Sequence, residues 1–212
     1  MNVQGNCPGC GAPVKFLWSS AVQASCEFCK AILVRKDVDL EKVGEVADLP
    51  VDASPFQIGT EGTFNNKNFI LVGRIKYQWE QGAWNEWHII FNDGVSGWLS
   101  DAQDEYAISF LASPPTAPPG AEQLKRGQAF NWYNTSYVLT TVTHARYVGF
   151  AGELPFTTTD RSEIVFADLR TPDARFGTID YSENPPLVFL GQQVGFDELK
   201  FRNLRTFEGW QL

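Results

Sequence analysis

Four cysteines constrain this chain more than anything else in it: Cys7 and Cys10, then Cys26 and Cys29, fifteen residues further on. Two Cys-x2-Cys knuckles at this spacing form a tetrathiolate ribbon pattern, in which each tight turn offers two thiolates to one tetrahedral ion. Cys7-Pro8-Gly9-Cys10-Gly11 suits such a turn, because Pro8 presets φ and the glycines let the backbone pass beneath a metal. Cys26-Glu27-Phe28-Cys29-Lys30 lacks glycine but sets a cation beside a site that turns negative once four thiolates hold Zn2+. A short hairpin is predicted between the knuckles, with Lys15 to Trp18 as its first strand, Ser19-Ser20 at its bend and Ala31 to Val34 closing. Four thiolates leave no open coordination position, so Zn2+ here is expected to be structural, a staple for roughly thirty residues too few to bury a core alone. Iron uses the same ligands and is not distinguished by sequence. Disulfides would need an oxidising compartment, and no leader pattern opens the chain; a redox pair would need a βαβ setting, which is missing.

Charge divides the chain. Residues 1–36 carry four basic side chains against one acidic, net +3, while all 212 residues sum to −8 and the remainder therefore to −11. A body this acidic repels a phosphate backbone, leaving the ribbon as the part able to meet nucleic acid. No apolar run is long enough to cross a bilayer as a helix, and the chain is expected to be cytoplasmic. Sixteen Phe, seven Trp and frequent Gly and Pro favour a mainly β protein.

Residues 37–54 read as a linker with one helical turn near Asp39 to Val43, and residues 55–212 as the body. The proline-rich stretch 112–120 splits that body into halves 55–111 and 121–212, since four prolines cannot lie inside a regular element. The halves open alike. Gly59-Thr-Glu-Gly62-Thr-Phe64 and Lys125-Arg-Gly127-Gln-Ala-Phe130 each lead through a polar turn into an aromatic-aliphatic strand, Phe69 to Val72 and Tyr137 to Thr140. Alternation through Arg74 to Trp79 and Trp84 to Phe91, then the Asn92-Asp93-Gly94 turn, predicts closely spaced hairpins. The fold class expected is a zinc ribbon followed by a duplicated antiparallel β-barrel or bent-sheet body. Phe196 to Arg205 reads as a short helix or turn capping it.

Val72-Gly-Arg-Ile-Lys-Tyr-Gln-Trp79, Trp84-Asn-Glu-Trp-His88, Phe91-Asn-Asp-Gly94 and Gly97-Trp-Leu-Ser100 resemble the DUF4178 family of bacterial proteins. Gly152-Glu-Leu-Pro155, Phe166-Ala-Asp-Leu169 and Ile179-Asp-Tyr181 fit its second half, so the resemblance spans roughly 55–200. It implies a β domain that often follows a zinc ribbon, and the family's function is unknown.

Catalytic residues are few. Glu86 and His88 share one face of a strand about 7 Å apart, and with Glu153 or Asp168 from the second half they would make an acid–base or metal site. A polar face paired across strands accounts for them as well. No phosphate loop is present. Trp79, Trp84, Trp87 and Trp98 are expected mainly as core, with an exposed subset offering a binding strip. The leading functional expectation is a non-enzymatic adaptor that binds another protein. Its rivals are nucleic-acid binding around Lys15, Trp18, Lys30 and Arg35, and an enzyme with its site between the β halves.

Overall fold

The structure is a computed structural model and describes residues 4–36, 39–46, 49–50, 52–158 and 163–206. Each cysteine knuckle is the turn of its own hairpin. Strands β1 (Gln4–Asn6) and β2 (Pro13–Lys15) flank the first, and β3 (Gln23–Ser25) and β4 (Ala31–Lys36) flank the second. The same two backbone bonds close both turns. Cys7 N–H donates to Ala12 O and Gly11 N–H to Cys7 O, as Cys26 N–H does to Ala31 O and Lys30 N–H to Cys26 O. This corrects the expected hairpin between the knuckles. A strand ends at Lys15 and does not run on to Trp18; Phe16 turns into the ribbon core, while Trp18 packs at its edge and also meets His88 of the body.

Asp39 to Val43, read as a helical turn, lies instead in strand β5 (Asp39–Glu45), paired antiparallel with β4. Leu40 packs on the ribbon core while Asp39 and Glu41 face solvent, so the operative period is two.

The body runs as two five-stranded meanders. The first comprises β6 (Glu61–Phe64), β7 (Lys67–Trp79), β8 (Gly82–Phe91), β9 (Ser96–Ala102) and β10 (Glu105–Ala112). The second comprises β11 (Ala129–Trp132), β12 (Thr135–Leu154), β13 (Glu163–Arg170), β14 (Arg175–Asp180) and β15 (Leu187–Val194). The duplication extends to backbone detail. Gly59 N–H bonds Leu71 O and Gly127 N–H bonds Leu139 O, both at 2.8 Å. Asn65-Asn66 and Tyr133-Asn134 both take positive φ at the tip of the opening hairpin, as a two-residue turn of matching twist requires. Bulges follow at Leu71/Gly73 and Leu139/Thr141. Glycine was the visible marker of the repeat, and Gly59 is the true partner of Gly127.

Strands β7, β8, β9, β10, β15, β14, β13 and β12 follow one another in a barrel-like ring. It is only partly closed, because β12 meets β13 through Val138–Arg146 and β7 through Arg146–Gly152, barely overlapping. One face of the ring in the first half carries Phe56, Leu71, Trp87, Ile89, Leu99 and Ile108, capped by Leu199 and Phe201 from the tail; a second core around Trp132, Leu139 and Leu169 serves the other half. Among the described residues the tail's one helix is a 3-10 turn, Asp197–Leu199. The opposite face carries Ile75, Tyr77, Trp98, Tyr147 and Phe150. Trp84 on β8 touches Phe166 on β13, three strands away around the ring, with centroids 5.5 Å apart. Contact across the ring and not along it marks this face as the inner one. Trp87 and Trp98 are buried, as expected of core tryptophans.

Two ties hold the periphery. Asp52 receives Arg74, Lys76 (2.8 Å) and Arg205 (3.4 Å), pinning the segment before the body to β7 and to the tail. The ribbon joins the body where β3 pairs with the end of β12, Ala24 with Glu153 and Gln23 with Leu154.

Candidate metal centre and carboxylate sites

The four cysteine sulfurs lie within 4.8 Å of one another. Cys7 Sγ stands 3.7 Å from Cys29 Sγ, and Cys10 Sγ 3.8 Å from Cys26 Sγ. A tetrahedron with metal–sulfur bonds of about 2.3 Å has edges of about 3.8 Å, so the donor set fits a four-coordinate ion. Both close pairs join one knuckle to the other, as expected if the ion clamps two hairpins together. Cys7 and Cys26 are buried and Cys10 is exposed. Without a cation the thiols titrate far apart. Cys29 is pushed up to about 12 by burial and its neighbouring thiols, although the Ala31 amide opposes this. Cys7 is drawn down to about 7, its amide donors and neighbouring thiols outweighing burial. Metal binding at such a site releases protons.

The four candidate residues of the body separate into two places. His88 and Glu153 meet beneath the ribbon. His88 is fully buried, with Nδ1 3.0 Å from the Glu153 carbonyl and Nε2 2.9 Å from Ser96 Oγ. A carbonyl only accepts, so Nδ1 carries the proton and Nε2 accepts from Ser96. Burial lowers the imidazole to about 4. The Glu153 carboxylate accepts from the ribbon amides of Leu17 (2.6 Å) and Trp18 (2.9 Å). Burial raises it to about 7, against those two donors. The Trp18 ring meets the imidazole edge-on, centroids 4.9 Å apart. Two hydrogen bonds and an aromatic cover make this a joint, with no side-chain pair between Glu153 and His88.

Glu86 and Asp168 meet elsewhere, inside the ring. Glu86 accepts from Trp84 Nε1 (3.0 Å) and Ser100 Oγ (2.8 Å). Burial raises it to about 8, with the nearby charges of Asp168 and Asp180 adding to the effect. Asp168 and Asp180 are raised as well, again chiefly by burial. All three are largely enclosed by side chains yet keep some accessible surface. The Tyr77 hydroxyl faces the same charges, which with burial raise it well above its ordinary value. The polar face expected here is therefore a set of like charges, not of cross-strand ion pairs. Asp180 was not legible as a member, since only the ring brings β14 opposite β8, whereas Tyr77 lies on the neighbouring strand β7, paired with Trp84.

A family model, Domain of unknown function (DUF4178), matches residues 57–196. The chain belongs to the DUF4178 family. No curated protein and no solved structure matches it. The matched DUF4178 stretch contains Tyr77, Glu86, His88, Glu153, Asp168 and Asp180, while the ribbon with its four cysteines lies outside it. Among the described residues no helix is long and apolar enough to cross a membrane.

The nucleic-acid expectation loses its electrostatic footing. With β5 counted, residues 1–46 carry five basic and five acidic side chains, and a divalent ion on four thiolates adds two negative charges. Trp18 is turned onto His88, and Arg35 lies over Phe16 and bonds Ser19 O, while Lys15 and Lys30 are exposed.

Proposed function

We propose that this DUF4178 protein is a non-enzymatic adaptor whose zinc ribbon binds another protein. The observation that carries the reading is the ribbon tip. Phe28, in the second knuckle, is 70% exposed, on a module pinned to the body by strand pairing and by Glu153. A large aromatic held rigidly in solvent makes a binding anchor at little entropic cost. Four thiolates complete the coordination of Zn2+, which leaves the ion a structural role. Reduced thiols suit a cytoplasmic protein. Affinity capture with intact protein beside Phe28→Glu tests the reading, with metal content measured on both. Loss of a defined partner from the variant at unchanged metal content supports it. Identical partners from both would sink it.

A second reading has its own observation. Glu86, near 8, is placed to exchange protons at neutral pH, and the charges of Asp168 and Asp180 act on it from the second half. It makes this carboxylate group an acid–base site between the halves. If Glu86→Gln leaves every activity found for the protein unchanged, this reading fails.

A further inference from the structure

We propose that the loop Phe16 to Ser20 is a metal-held latch, and that metal occupancy of the ribbon governs access to the His88–Glu153 face of the body. The inference goes beyond the adaptor reading and does not depend on it.

The loop is clamped at both ends by the core that the four thiolates organise. Phe16, 5% exposed, and Ala21, 3% exposed, lie in one cluster with Cys7 and Cys26. Beyond the cysteines that core contains Val14, Phe16, Leu33, three alanines and the partly buried Trp18 and Leu40, too little to hold its shape without the ion. Leu17 and Trp18, between the clamps, do the latching. Their amides are the donors to the Glu153 carboxylate, and among the described residues it has no cationic partner. Trp18 covers one side of His88 while Trp98, 5.2 Å away, backs the ring on another. When the ribbon core loosens, Phe16 and Ala21 cease to fix the loop and the two amides drift from Glu153. A carboxylate that is 5% exposed then lacks its donors and is driven towards water. Glu153 and the carbonyl that holds His88 Nδ1 belong to one residue, so its movement loosens the imidazole directly. The remaining seams are the two paired residues of β3, the bond from Gly152 N–H to Ser25 Oγ, that from Val22 N–H to Leu154 O, the two bonds between Gln23 and Thr158, and Ile32 and Val46 packed against the inner core.

The chain supplies its own control, for it has two histidines. The side chain of His144 is 61% exposed, whereas His88 is fully buried. Diethyl pyrocarbonate modifies neutral imidazole, and mass spectrometry of the full chain reads both sites. With zinc loaded, His144 is modified and His88 is spared. After chelation, His88 modification is expected to speed up about tenfold or more as the covering loop opens locally, with His144 unchanged. Backbone amides of β14 and β15 should stay protected from hydrogen exchange. Glu153→Ala, with zinc retained, should expose His88 without chelation. His88 spared in both the metal-free protein and Glu153→Ala overturns the latch. Loss of protection throughout β14 and β15 on chelation overturns it too, since the metal would then hold the whole fold.

Discussion

Asp52 shows how one carboxylate can hold three cations. Arg74 and Lys76 on β7 are buried, and Asp52 stays well ionised because the Lys76 hydrogen bond and both charges outweigh its own burial. Asp52→Asn leaves two buried cations without their counter-ion, a loss of about 3–5 kcal/mol by analogy with broken buried pairs. Urea unfolding checks it, and a change under 1 kcal/mol would show that water already solvates the cluster. Glu86 poses the opposite case. It ionises near 8 when folded and near 4.5 as a free carboxyl, so the folded state retains a proton between those values. The stability this proton confers is complete below about pH 4.5 and is lost as pH rises through 8. At about 1.4 kcal/mol per unit the loss is bounded near 5 kcal/mol, and water at its accessible surface reduces it. Glu86→Gln should therefore flatten the fall in urea midpoint between pH 5.5 and pH 9; a wild-type midpoint that does not fall refutes the raised ionisation. Neither cluster was legible in the sequence. Glu86 and His88 stand two apart on one strand face, as period two requires, but which residues lie opposite depends on the ring.

Among the elements, hairpins with their own turn chemistry were legible and pairings between distant strands were not. Asn92-Asp93-Gly94 announced its turn, and Gly94 takes φ 84° there. The knuckles were equally plain, and Lys30 adopts the left-handed φ of 59° in the second where Gly11 serves the first. The β5 strand was hidden because it is an edge strand with little to bury, Val43 being 45% exposed, so backbone pairing fixes it without a hydrophobic pattern. The crossing of β7 and β12, which closes the ring, rests on two glycines. A Cβ on Gly73 would lie 1.9 Å from Glu153 O, and Gly152 holds φ 72° with Val72 O 2.3 Å from its own Cβ position. Backbone cannot yield there as a flexible side chain would. Gly73→Ala is expected to cost about 3 kcal/mol or more through overpacking. The same substitution would also disturb the Glu153 carbonyl on His88, so loss of stability should come with faster His88 modification. Wild-type stability in Gly73→Ala would mean the strands do not cross this closely.

Over the whole molecule, net charge and the seam between modules decide what the protein can approach. The spacing of the cysteines marked out a ribbon, yet a boundary drawn at residue 36 made it basic. Strand β5 brings Asp39, Glu41 and Glu45 into that module with Lys42 as its own one cation; Lys42 bonds Glu45 at 2.7 Å, and Glu41 pairs with Lys36 of β4. Residues 1–46 balance five basic against five acidic side chains, so the ribbon turns negative once four thiolates hold a divalent ion, on a remainder of the chain that sums to −8. Phosphate contacts give non-specific affinity in proportion to the cations that replace counter-ions, and net negative charge opposes them. The metal-loaded protein should therefore show no mobility shift with duplex or single-stranded DNA in about 0.1 M salt, where a Debye length of about 10 Å screens scattered lysines. Chelation tests the reasoning further. Removing the ion and reprotonating the thiols raises the ribbon's charge, so any weak binding should appear in the metal-free protein first. Binding by the metal-loaded form, weakening steeply with salt, would overturn the charge argument and return the ribbon to nucleic acid.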